Sequence, residues 1–161
     1  MRDEVTMKIR RERRRARWTT VATMLLVLSV PLMAQSGAST LTVRVIGACN
    51  NKGRIALALF LSEAGFPSES SKAIRLQRAE IDTQTGSAQF VLKAVPYGVY
   101  AVSVFHDENM NGKLDKNFVG APKEGYGASN NPRKRMGPPP FDEAKFSLSQ
   151  PEQSIEIKLV Y

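Results

Sequence analysis

The sequence predicts an all-β fold: a single two-sheet antiparallel β-sandwich of about seven strands, preceded by a helical signal segment. Three observations predict it. Apolar residues after Met33 recur with a period of two, their runs are short and bounded by Gly, Pro, Asn and Ser, and no stretch there sustains a helical period. Residues 39–161 make one domain of ordinary size, large enough to bury a core without disulfide or metal staples.

The strands follow in order. Leu41, Val43 and Val45 alternate with Thr42 and Arg44, as a half-buried strand requires. Asn50-Asn51-Lys52-Gly53 then makes a turn. Ile55, Leu57, Leu59 and Leu61 face one way and Ala56, Ala58 and Phe60 the other, so this strand is apolar on both faces and central. Ser62–Ser71 is a loop, and Ala73–Arg78 is a weaker strand with Ile74 and Leu76 on one face. Ala88, Phe90 and Leu92 alternate with Gln89 and Lys93. The Pro96-Tyr97-Gly98 turn leads into Tyr100, Val102 and Val104, backed by Ala101, Ser103 and Phe105. Asp107–Pro140 reads as one long irregular stretch, a length that a compact domain keeps mainly for function. Two strands close the domain, Ala144-Phe146-Leu148 and Ile155-Ile157-Leu159-Tyr161.

The segment before the domain has the parts of a secretory signal. Arg10–Arg17 are strongly basic, Val21–Met33 form an apolar stretch of 13 residues, and small residues follow. The stretch is shorter than the roughly 20 residues a membrane-spanning helix needs, and Pro31 lies near its end. Residues 1–38 are therefore expected to be a signal peptide cut after Ala38 or Ala34. Ser36-Gly37-Ala38 is the better match to the small-x-small rule, and Met7 is a cleaner start than Met1. The expected product is periplasmic or extracellular, with no transmembrane span in its mature form.

Charge agrees with that division. The net +8 of the chain looks like a nucleic-acid signature, but residues 1–17 hold eight of the 23 Lys and Arg and only three of the 15 Asp and Glu. The remainder carries +3, a mixed surface with little electrostatic reason to bind DNA or RNA. The single cysteine, Cys49, has no internal disulfide partner and reads as a small residue at a strand end.

The run Asp107-Glu108-Asn109-Met110-Asn111-Gly112-Lys113-Leu114-Asp115 fits D-x-[DN]-x-[DN]-G, the first half of a calcium loop. Oxygen-bearing side chains at Asp107, Asn109 and Asn111 converge as such a loop curls, and Gly112 permits the sharp turn. The Lys113 carbonyl and the Asp115 carboxylate complete the set. The pattern departs from a full EF-hand: Phe118 stands where a bidentate Glu is needed, and no helices flank the loop. Two readings stay open, a weak Ca2+ site and an Asx-rich turn closed by its own hydrogen bonds. No cofactor besides Ca2+ is expected.

His106 is the only histidine. It is either a general base beside Asp107 or Glu124 or a cap on the sheet face, and no serine or cysteine nucleophile stands at a recognisable spacing. No His/Cys cluster in the linear sequence signals zinc, and no glycine-rich strand-to-helix element signals a nucleotide. Tyr126, Asn130, Asn131 and Arg133, with His106, form a candidate surface for a glycan or an anionic group. The plainer alternative is a self-packed loop in which Tyr126 and Phe118 plug one end of the sandwich.

These residues carry a resemblance. Val104-Phe105-His106-Asp107-Glu108-Asn109, Gly112-Lys113-Leu114-Asp115, Gly125-Tyr126-Gly127 and Ser129-Asn130-Asn131 resemble the bacterial domain family DUF2141, of unknown function. So do the Asn51-Lys52-Gly53 turn, Gly65-Phe66-Pro67 and Pro96-Tyr97-Gly98-Val99-Tyr100, and the similarity runs from about Leu41 to Tyr161. The resemblance implies an exported domain with no catalytic residue to transfer, and places Met110 where that family usually has glycine. The Pro-Tyr-Gly-Val-Tyr turn is also similar, more distantly, to those of transthyretin-like and Cna-B-like sandwiches, which implies a prealbumin-like topology and an adhesive or accessory role. Two functions are thus in view. One is a non-enzymatic binding or accessory module whose partner is an envelope protein or glycan; the other is an envelope hydrolase using His106 with a nearby carboxylate.

Overall fold

The computed structural model describes residues 37–133 and 137–161. The expected signal segment up to residue 36, and residues 134–136 of the basic patch, lie outside the described residues. Among the described residues eight strands form two sheets: β1 (Ala38–Ile46), β2 (Arg54–Phe60), β3 (Arg75–Ala79), β4 (Ala88–Pro96), β5 (Gly98–Asp107), β6 (Tyr126–Ala128), β7 (Phe146–Leu148) and β8 (Glu152–Lys158). One sheet has the order β4-β1-β8 and the other β3-β2-β5-β6, with β7 also paired to β5. The expected all-β architecture is what the chain adopts.

Three details differ from the sequence reading. The pair β1–β8 is parallel, Thr40 opposite Glu152 through Ile46 opposite Lys158. A period-two pattern says which face a residue takes but not which way its neighbour runs, so the all-antiparallel expectation fails at this one pair. An eighth strand, β6, lies inside the stretch expected to be irregular and pairs Ser103–Phe105 of β5. Ala144 belongs not to a strand but to a single helical turn, α1 (Phe141–Ala144), where it is fully buried.

The core lies between the sheets. Leu41, Val43 and Val45 of β1, Phe90 and Leu92 of β4 and Ile157 of β8 face Ile55, Leu57 and Leu59 of β2 and Tyr100, Val102 and Val104 of β5. Each such side chain contributes about 1.5–3 kcal/mol by leaving water. Central β2 is buried on both faces, as its two-sided apolar pattern requires. Ile74, just before edge strand β3, and Leu76 within it are about half exposed, and Leu76 pairs with Ala58 on the outer face.

The outer face of β5 is covered too. Ala101, Ala128 and Ala144 form a small second core with Phe66 and Phe141, and Phe66 stacks edge-on against both Phe60 and Phe141. β5 is therefore clamped from both sides, and its last two residues, His106 and Asp107, are each fully buried. That rigid strand end positions the site.

Candidate functional site

Strand alternation sends His106 toward the inter-sheet side and Asp107 to the opposite face. Beyond Asp107 the chain curls at once. Asp107 Oδ2 accepts the Gly112 N–H at 3.1 Å, Asn109 Oδ1 accepts the Asn111 N–H at 3.0 Å, and Asn111 Oδ1 accepts the Lys113 N–H at 2.8 Å. Gly112 has φ +77°, the left-handed conformation the spacing reserved for glycine. Asn109 and Asn111 donate their amide N–H groups to Asp115 at 2.7 and 3.1 Å. Asp107, Asn109, Asn111, Gly112 and Asp115 thus form one connected loop, and Lys113 contributes its backbone to it.

Asp107 carries the main electrostatic feature. Its carboxylate is fully buried, Arg54 Nε stands 3.6 Å from Oδ2, and Oδ1 has no hydrogen-bond partner. A carboxylate oxygen in that condition costs on the order of 1–3 kcal/mol or more in lost solvation. Sequence reasoning named Glu124 only as a carboxylate for His106 and missed that it closes the loop. Glu124, nearly fully buried, accepts the Glu108 N–H at 3.0 Å through one oxygen and the Asp115 N–H at 2.9 Å through the other. It stands nine residues past Asp115, too far for any loop-spacing rule to reach. Phe118, expected to plug an end of the sandwich, is instead completely exposed, and Val119 beside it is 70% exposed. The turn around Asn117 projects away from the core and is held by its own side chain, which accepts the Val119 and Ala121 N–H groups.

On the other face, the Nε2 of His106 lies 2.7 Å from the Lys52 carbonyl and Nδ1 lies 2.8 Å from the Tyr161 hydroxyl. A carbonyl only accepts, so Nε2 carries the proton, and in neutral histidine Nδ1 receives the Tyr161 O–H. The Tyr161 oxygen also accepts the Cys49 N–H at 2.9 Å. Burial, with the Cys49 side chain adding to it, pushes the Tyr161 phenol well above its ordinary value. Gly125 makes this possible: a Cβ there would stand 2.4 Å from the Tyr161 ring, so only glycine lets the ring lie against the backbone. The hydrogen bonds of His106 run to Tyr161 and Lys52, not to Asp107 or Glu124. Cys49 and Glu108 complete the neighbourhood, and because Cys49 is 57 residues from His106 in sequence, no spacing pattern announces it.

The expected ligand surface is partly assembled. Tyr126, Asn131 and Arg133 line one open groove of about 710 Å3 together with Glu156, Lys158 and Tyr161. Asn130 and Asn131 both have positive φ, which asparagine tolerates, and both side chains are engaged by backbone. Asn130 donates to the Glu143 and Lys145 carbonyls, while Asn131 donates to the Glu156 carbonyl and accepts the Lys158 N–H. They fasten the long loop to α1 and β8, which leaves Tyr126 and Arg133 as the freer groups of the set. His106 is not part of this groove.

Compared with known proteins, residues 43–156 match the profile of one family, described as "Uncharacterized protein conserved in bacteria (DUF2141)". No curated protein and no solved structure matches the chain.

Proposed function

Because the chain belongs to the DUF2141 family, whose description assigns no activity, we propose that it is an exported, non-enzymatic binding or accessory module whose 107–115 loop takes a weakly held Ca2+. The observation that carries the cation reading is Asp107 Oδ1, a fully buried carboxylate oxygen with no hydrogen-bond donor at the head of a D-x-N-x-N-G loop. A hard divalent cation supplies the charge that this oxygen lacks. Asp107, Asn109, Asn111, the Lys113 carbonyl and Asp115 are its ligands, and on loading Asp115 exchanges its two amide donors for the ion. Arg54 beside Asp107 opposes a cation and keeps the site weak, with dissociation in the range of about 10⁻⁴–10⁻³ M found in extracellular modules.

Export supports that range being useful, since the basic and apolar segments before residue 34 have the composition of a secretory signal. No helix among the described residues is long and apolar enough to cross a membrane. The groove bearing Tyr126 and Arg133 is the surface offered to an envelope protein or glycan. Thermal melting tests the cation: for a Kd of about 1 mM, about 10 mM Ca2+ stabilises the fold by about 1.4 kcal/mol, a shift of several degrees over chelated protein. Asp115→Ala abolishes the shift. An identical melting temperature with and without Ca2+ contradicts the reading.

A further inference from the structure

We propose that Cys49, His106 and Glu108 form a second cation site, separate from the calcium loop and suited to a thiophilic divalent ion of the Zn2+ type. Glu108 Oε1 lies 3.8 Å from Cys49 Sγ and 3.9 Å from His106 Nδ1, and the three ligand atoms all fall within 4.8 Å of one another. Tetrahedral zinc with S, N and O ligands needs edges of about 3.4–3.6 Å, so two of the three edges are a few tenths of an ångström from a closed site.

The surroundings orient the ligands as a metal site requires. The Lys52 carbonyl takes the Nε2–H of His106 and so fixes the tautomer that presents an unprotonated Nδ1 to the cluster. Asn50 Nδ2 donates to both Cys49 Sγ at 3.3 Å and Glu108 Oε2 at 2.9 Å, holding the thiol and carboxylate side by side. Cys49 is exposed and Glu108 partly exposed, which gives an ion a way in to the buried imidazole. On loading, the Cys49 thiol gives its proton to solvent, and the Tyr161 hydroxyl releases the Nδ1 lone pair that it now occupies. Tyr161 oxygen or water then fills the fourth position.

The two sites share a strand end but differ in chemistry. Asp107 and its amide partners offer only oxygen to a hard cation, whereas thiolate with imidazole selects a softer one. Co2+ added to the reduced chain is the probe, read by absorbance. The expected result is one Co2+ per chain with a thiolate-to-cobalt band in the near ultraviolet, displaced by one equivalent of Zn2+. Cys49→Ser, at an exposed position, removes the band. Glu108→Gln weakens binding by about tenfold or more, and Asp115→Ala leaves it unchanged. No near-ultraviolet band at saturating Co2+, a band that survives Cys49→Ser, or Zn2+ that fails to compete overturns the proposal.

Discussion

At the scale of single residues, the loop keeps one strained position. Met110 sits at φ +61°, left-handed backbone that costs a residue with a side chain about 1–2 kcal/mol. Glycine removes that cost and loses about 0.5–1 kcal/mol through its freer unfolded chain. Met110→Gly is therefore expected to stabilise by up to about 1 kcal/mol, measured by urea unfolding; destabilisation would show that the exposed Met110 side chain contributes a contact that matters. Tyr161 makes a second prediction. Its phenol, raised above the ordinary 10.0 in the folded protein, stays neutral while the unfolded chain ionises. This contribution to stability is thus complete below pH 10 and is lost as pH rises beyond it. Melting against pH should fall less steeply above pH 10 in Tyr161→Phe than in the parent, and identical slopes would contradict the raised phenol. The spacing of Asp107, Asn109, Asn111 and Gly112 was enough to read the curl of the loop. It was silent on which atoms satisfy which, because Asn amides present a donor and an acceptor with equal ease.

At the scale of elements, Glu124 ties the two ends of the 107–115 loop by accepting one N–H at each carboxylate oxygen. Glutamine keeps one acceptor and turns an N–H toward the other donor, so Glu124→Gln is expected to cost about 1–3 kcal/mol. Hydrogen exchange checks the mechanism: the Glu108 and Asp115 amides should lose protection while those of β1 do not. The long strands were legible because buried faces impose a period of two, as in Leu41, Val43 and Val45. β6 was not, since Tyr126-Gly127-Ala128 is too short to show a period and contains a residue that strands disfavour. Nor was α1, a single turn whose last residue, Ala144, falls in step with Phe146 and Leu148 of β7 and so mimics alternation.

At the scale of the whole molecule, the two-sheet core was readable and the parallel β1–β8 pairing was not, since pairing direction leaves no mark on face alternation. The convergence of Cys49, His106, Glu108 and Tyr161 also belongs to this scale, for it joins a turn, a strand end and the last residue of the sequence. The start of β1 bears on where the proposed signal would be cut. Ala38 pairs with Pro96, and the Gly37 carbonyl accepts the Tyr97 N–H at 3.0 Å with no room for a side chain under the Tyr97 ring. A cut after Ala34 preserves these contacts and a cut after Ala38 removes them, so if the proposed signal is cleaved, N-terminal sequencing of the product should read from Gln35. A first residue of Ser39 would contradict that.

The central claim, that the Asp107–Asp115 loop holds a cation, is tested most directly by titrating Ca2+ into isotopically labelled protein and following every backbone amide. The account predicts saturable shifts at about 0.1–1 mM, concentrated at Glu108 through Lys116 and absent in Asp115→Ala. Amide positions unchanged up to about 10 mM Ca2+, or shifts spread evenly over the surface acids, would contradict it.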